Sequence, residues 1–193
     1  MILSNVEILS ALDSGRLIVE PSPAPRRPEP ERDCPFNTTS LDLRLGPEIS
    51  RPKEDRPFTI DLAAGSFADL FNPENYETRT ISDDQPYNLA PNRFVIGQTL
   101  ERVELPILDG EPSLAARVEG RSSFARCGLL VHFTAPTIHA GFRGPITLEI
   151  INLSPTAVLL RPGIYVCQLI FEEVVGIPFP NDSQFHNQTD PGG

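Results

Sequence analysis

Residues 119–149 read E-G-R-S-S-F-A-R-C-G-L-L-V-H-F-T-A-P-T-I-H-A-G-F-R-G-P-I-T-L-E. Two short runs, 129–133 and 146–152, are rich in β-branched and aromatic residues and are bounded by Gly, Pro or Asn, the pattern of strands closed by turns. Around them sit residues able to do chemistry. Arg121 and Arg126 carry fixed positive charge, Ser122 and Ser123 offer hydroxyls beside backbone N–H groups in a Gly-flanked turn, and Glu149 is a carboxylate inside an apolar strand. Such a set can hold a polyphosphate and activate water.

Outward from this block the same strand chemistry recurs at 58–62, 94–99, 115–119, 157–161 and 165–172. Leu41, Leu43 and Leu45 alternate with Asp42 and Arg44, the period of two expected of a half-buried strand. Short strands at this spacing predict a mainly β fold, an antiparallel sandwich or barrel. Upstream, Ser4 followed by Glu7 forms a capping-box pattern with Val6, Leu9 and Leu12 at helical spacing and Gly15 as a stop, so a short helix is expected over 5–14 and a brief strand at 17–19. The segment 21–35, P-S-P-A-P-R-R-P-E-P-E-R-D-C-P, is too rich in proline for helix or central strand and reads as an extended surface loop. Residues 65–71 suggest one more helical turn, 72–91 hold too many polar and turn residues to be assigned, and 178–193 read as a mobile tail.

The length of 193 residues fits one domain over 1–193 with a substantial core. With 16 basic and 26 acidic residues the net charge is −10, which argues against nucleic-acid polymers and anionic membranes as partners. An anionic substrate therefore needs a locally positive pocket. Cys34, Cys127 and Cys167 form no C-x-x-C pair, so neither a disulfide framework nor zinc is expected, and a reducing, cytoplasmic setting fits. No run approaches the ~18 apolar residues that span a bilayer.

From spacing alone Glu149 has two readings. Ile146, Leu148 and Ile150 share one face of its strand and Thr147, Glu149 and Ile151 the other, so it is either a solvent-facing glutamate or, with Ile151 beside it, a carboxyl whose pKa is raised toward that of a useful general base. His132 reads as a partly buried strand histidine, and the three histidines, His132, His139 and His186, show no metal-ligand spacing.

The 119–149 block resembles the deoxycytidine triphosphate deaminases, whose nucleotide loop looks like G-R-S-S-L-A-R-x-G-L and whose base carboxylate closes I-T-L-E. The resemblance continues in S-L-D-L-R-L-G at 40–46, T-L-E at 99–101, R-P-G-I-Y-V-C-Q-L at 161–169 and a shortened Q-F-H-N-Q at 184–188. It implies the deoxyuridine triphosphatase-like fold, a distorted jelly roll or β-barrel with a short N-terminal helix, assembled as a homotrimer with shared active sites and a C-terminal tail that closes over nucleotide. By the same resemblance Glu149 takes a proton from the water that attacks C4 of cytosine. Arg126 lies beside that carboxylate, Ser122 holds the water with the main-chain carbonyl of Ala135, and the counterpart of His132 lies near the site. By that resemblance Arg121, Ser122 and Ser123 cradle the triphosphate, while Arg126, Thr147, Leu148, Glu149 and Gln188 complete the nucleotide site. Mg²⁺ is expected to arrive on the triphosphate, bound through phosphate oxygens and water rather than side chains. The H-x-E and P-C-x-x-C motifs of the zinc deaminases are absent.

The pattern breaks in two places. Relatives in this family read I-D-P-G-F or I-D-P-G-W where this chain has I-H-A-G-F at 138–142, so His139 replaces an aspartate that binds the deoxyribose 3′-hydroxyl. A neutral imidazole offers one hydrogen bond there but not two acceptor oxygens. The family's Lys-Tyr pair in the tail is matched by Gln184 and Phe185, which removes a charge that would face triphosphate. Three readings follow: a deaminase converting the triphosphate of deoxycytidine to that of deoxyuridine, a nucleotide-binding relative with lost or altered activity, and, disfavoured by the missing aspartate, a deoxyuridine triphosphatase.

Overall fold

The computed structural model describes residues 1–55, 59 and 74–179. Its first element is helix α1 (Asn5–Ser14), capped as its sequence predicts: the Ser4 side chain accepts from the Glu7 N–H, and Gly15 closes the helix at φ 76°. Ile8 and Ala11 face inward. Eleven strands are assigned among the described residues: β1 (Ile18–Glu20), β2 (Leu41–Pro52), β3 (Tyr76–Thr80), β4 (Tyr87–Leu89), β5 (Phe94–Glu104), β6 (Leu114–Gly120), β7 (Leu129–Val131), β8 (Thr137–Ile138), β9 (Arg143–Asn152), β10 (Val158–Leu160) and β11 (Tyr165–Glu173). A five-residue helix, α2 (Ser122–Arg126), separates β6 from β7.

Nine strands form one antiparallel sheet in the order β7-β9-β5-β2-β11-β6-β8, with β1 also on β5 and β3 also on β2; β4 and β10 pair separately. Alternate side chains from the long strands meet in one core, where Leu41, Leu43, Leu45, Val95, Leu148, Ile150, Leu169 and Phe171 are all fully buried.

The two short motifs at 40–46 and 99–101 lie where this sheet is irregular. The β2–β5 register shifts between Leu45 and Ile49, and the β5–β9 register shifts between Gln98 and Arg102. Backbone donors that leave a regular ladder must find other acceptors. The Arg44 N–H donates to Glu101 Oε2 at 2.8 Å while the Arg44 Nε donates to Oε1 at 2.6 Å. The Ile146 N–H donates to Thr99 Oγ1 at 2.9 Å, and that hydroxyl donates to the Glu101 carbonyl at 2.7 Å. Gly46 permits the close approach, since a Cβ there would lie 3.1 Å from the Gln98 carbonyl oxygen.

Three expectations change. The strand at 41–45 is not half-buried, because β2 is interior to the sheet and Asp42 is 6% exposed on its second face. The polar stretch 72–91 contains β3 and β4; β3 has one buried residue and a largely exposed remainder, so apolar alternation was not required of it. The strand expected over 129–133 stops at Val131, because His132 takes φ 57°. The strand expected at 58–62 and the turn at 65–71 lie outside the described residues, as does the tail from 180 onward. No described helix is long and apolar enough to cross a membrane.

Removing the Glu101 carboxylate strands the Arg44 guanidinium and one backbone N–H together. Glu101→Ala is expected to lower unfolding free energy by about 3 kcal/mol, the scale of a broken, largely buried ion pair, read as a shift of the urea midpoint at unchanged slope.

Candidate active site

Strand β9 carries Glu149 on its partly open face, while Ile146, Leu148 and Ile150 point into the core, as the period of two predicts. Its neighbour β7 pairs through Val131 opposite Ile150, which brings the next residue, His132, to the Glu149 backbone: the His132 N–H donates to the Glu149 carbonyl at 2.7 Å. The left-handed backbone at His132 then turns its ring back onto the strand. His132 Nδ1 lies 2.8 Å from Glu149 Oε2, and its Nε2 lies 2.7 Å from the Ala135 carbonyl oxygen. The ring is therefore a bridge between the carboxylate and a main-chain carbonyl, and its side chain is only 6% exposed.

This geometry is opposite to the raised carboxyl of the general-base reading. Burial does push its carboxyl up, but the hydrogen bond and charge of His132 outweigh it, so the carboxyl titrates below the ordinary glutamate value. For His132, burial pushes the imidazole down, and the Glu149 carboxylate with the Ala135 and Thr147 backbone groups more than offsets it, so the imidazole titrates above its ordinary value. Glu149 Oε2 and His132 Nδ1, 2.8 Å apart, form an ion pair whenever the imidazole is protonated and the carboxyl ionised.

The Gly-flanked turn becomes α2, with Arg121 as its first flanking residue. Ser122 and Ser123 are exposed in the first turn, where backbone N–H groups have no partner within the helix. Arg121 folds back: Nη1 donates to the Tyr165 carbonyl at 3.2 Å, and Nη2 lies 3.6 Å from Asp42 Oδ2. Asn37 Nδ2 donates to the other Asp42 oxygen at 2.9 Å. Burial raises the Asp42 carboxyl, and Arg121 and Asn37 offset this only in part. Gly128 links α2 to β7 at φ 80°, and a Cβ there would lie 2.9 Å from the Ser154 nitrogen, so the R-C-G-L turn requires glycine.

Within this chain the partner of Glu149 is His132 rather than Arg126. Arg126 is exposed at the end of α2 and makes no ion pair among the described residues. Thr147 and Leu148 lie on β9 beside Glu149, Leu148 with its side chain in the core. His139 is exposed in the turn after β8, where its carbonyl accepts from the Phe142 N–H at 3.1 Å. Gln188 lies outside the described residues. No group of three or more His, Cys, Asp or Glu that could hold a metal occurs among the described residues. Sequence reading undervalued His132 and Asp42. The register that puts His132 on Glu149 is set by β7–β9 pairing, which no local pattern reveals, whereas Asp42 sits in a quoted motif and is an acid between buried leucines.

A family model described as dCTP deaminase-like matches residues 2–174. Over 196 residues the chain is 35% identical to a protein of Dictyoglomus thermophilum named dCTP deaminase, dUMP-forming, covering 99% of this chain and 92% of that one. It is 39% identical over 174 residues to a dCTP deaminase of Halorubrum lacusprofundi, covering 90% and 78%. Among solved structures it is similar to the 2'-deoxycytidine 5'-triphosphate deaminase of Agrobacterium tumefaciens, with a TM-score of 0.62 and 22% identity over 88% of this chain. The match spans 47% of that solved chain, and the likeness bears on the fold.

The stabilisation from the Glu149–His132 pair has two pH edges. The lowered carboxyl contributes above its unfolded value of about 4.3 and loses its contribution as pH falls through the folded value; the raised imidazole contributes below about 6.5 and loses its contribution as pH rises through the folded value. A double-mutant cycle with Glu149→Gln and His132→Asn, read by urea unfolding, should give its largest coupling between about pH 4.5 and 6.5 and a decline on both sides.

Proposed function

This chain belongs to the dCTP deaminase-like family, and from that membership together with the Glu149 geometry we propose that it converts dCTP and water to dUTP and ammonia. The observation that carries the reading is a strand-borne carboxylate kept ionised by a buried imidazole beside a main-chain carbonyl. An ionised Glu149 can accept a proton from water as the oxygen adds to C4 of cytosine. The same proton can pass to N3, and a second from the adding hydroxyl to the amino nitrogen, which leaves as ammonia while the C4 carbonyl forms. His132 keeps the base charged before substrate arrives, and Ser122 with the Ala135 carbonyl orients the water.

The triphosphate lies along α2 in this reading, against the Ser122 and Ser123 hydroxyls and the first-turn N–H groups, with Arg121 held by Asp42 at one side. Mg²⁺ travels on the phosphates and supplies charge neutralisation there. Thr147 and Leu148 border the base, His139 the deoxyribose, and Gln188 acts from the tail. Arg126, exposed and unpaired within the described chain, is contributed to a neighbour's Glu149 in a homotrimer with shared sites.

Relatives named dUMP-forming favour a second reading, in which the triphosphate is also cleaved. His139, standing where the family has an aspartate, argues for dUTP as the end product. Chromatography of products formed from dCTP with Mg²⁺ separates the readings: dUTP and ammonia are expected, whereas dUMP with pyrophosphate would favour the second. Glu149→Gln should lower turnover by about 10³-fold, the scale of a lost general base, with nucleotide binding retained. Near-normal turnover in that variant would refute the assigned base.

A further inference from the structure

Among the described residues three buried side-chain atoms stand out: Gln98 Nε2 has no hydrogen-bond partner, and Glu149 Oε2 and His132 Nδ1, 2.8 Å apart, have none besides each other. Other buried polar side chains are satisfied; Asn152, for example, donates to the carbonyls of Leu89 and Thr156. Two of the three atoms form the site pair already described. The third belongs to a residue that the proposed reaction does not yet use.

Gln98 stands on β5, directly opposite Thr147 of β9, and the next same-face pair is Ile96 opposite Glu149. Opposed residues of an antiparallel pair share a face, so Gln98 and Glu149 are diagonal neighbours. Such positions lie roughly 7–8 Å apart, within reach of long side chains. Gln98 is 7% exposed, so its carboxamide is held inside this patch rather than in solvent. Thr99, the next residue, is fixed by its hydrogen bonds to Ile146 and Glu101, which anchors the backbone that presents Gln98. A buried amide without a partner costs stability, and such costs concentrate where function needs the group.

We propose that Gln98 is a positioning residue for Glu149: its carboxamide N–H₂, unpartnered among the described residues, is the neutral donor that the buried Oε2 side of the carboxylate takes up during the reaction. This rests on the deamination reading. A deaminating glutamate is alternately ionised and protonated, so its charge-based hold by His132 changes during each cycle. A neutral donor does not titrate and can hold the carboxyl in either protonation state.

Gln98→Met and Gln98→Glu test this, read by thermal unfolding, by kcat and KM for dCTP, and by ¹⁵N NMR titration of the His132 imidazole without nucleotide. Glu149 is the charged side chain that acts on that imidazole among the described residues. Gln98→Met, similar in length but without a donor, should keep or raise Tm while kcat falls 10-fold or more and KM stays within 3-fold. Gln98→Glu should move the His132 titration midpoint up by a pH unit or more. A Gln98→Met enzyme with parental kcat, or a His132 midpoint that is unchanged in Gln98→Glu, overturns the proposal. Failure of the parent protein to deaminate dCTP would instead refute the functional reading, since the imidazole titration reports on position 98 independently of any reaction.

Discussion

Much of this structure depends on one carboxylate inside an irregular sheet. Glu101 accepts from the backbone and side chain of Arg44 at the point where β5 changes register, and Thr99 beside it accepts the freed N–H of Ile146. Side chains thus replace the ladder hydrogen bonds that the shift removes. Because both sides of the irregularity are satisfied, β5 can pair with β2 and β9 along its length, and β9 is held between β5 and β7. Glu149 occupies the middle of that held strand. The motifs at 40–46 and 99–101, far from any chemistry in the sequence, are the frame on which the site is built.

On that frame the polar groups are divided by task. Asn152, Thr99 and Glu101 are buried and satisfied, and they maintain geometry. Glu149 and His132 are buried enough for their charges to matter, and the imidazole lies 2.8 Å from the carboxylate. Arg121 is different again. Its guanidinium is anchored by Asp42 and the Tyr165 carbonyl, and this limits the freedom of a long side chain before a phosphate arrives. A chain of net charge −10 thereby presents fixed positive charge at one turn.

The parts of the fold dictated by local periodicity were legible in the sequence. The helix with its Ser4 and Gly15 caps, the strands rich in β-branched residues, and the facing of Glu149 opposite Ile146, Leu148 and Ile150 all follow from spacing. What was not legible came from pairing between distant strands. A polar strand such as β3 satisfies itself against β2 and needs no apolar stripe. His132 looked like part of a strand because its neighbours are apolar, and its turn onto Glu149 depends on β7–β9 register. Of the two sequence readings of Glu149, the raised carboxyl rests on apolar neighbours, which are visible in sequence, while the facing imidazole that lowers it is not. Asp42 and Gln98 likewise alternate with core residues, but their surroundings are built by other strands.

Deamination at this site requires Glu149 to be an ionised base held by His132. A ¹³C NMR titration of the Glu149 carboxyl, assigned by its absence in Glu149→Gln, tests this most directly. A carboxyl held by the imidazole should show a midpoint below about 4.3 and a second, smaller chemical-shift step above about pH 6.5 as His132 loses its proton. A single midpoint above 4.3, the behaviour of a carboxyl buried among apolar groups alone, would contradict it.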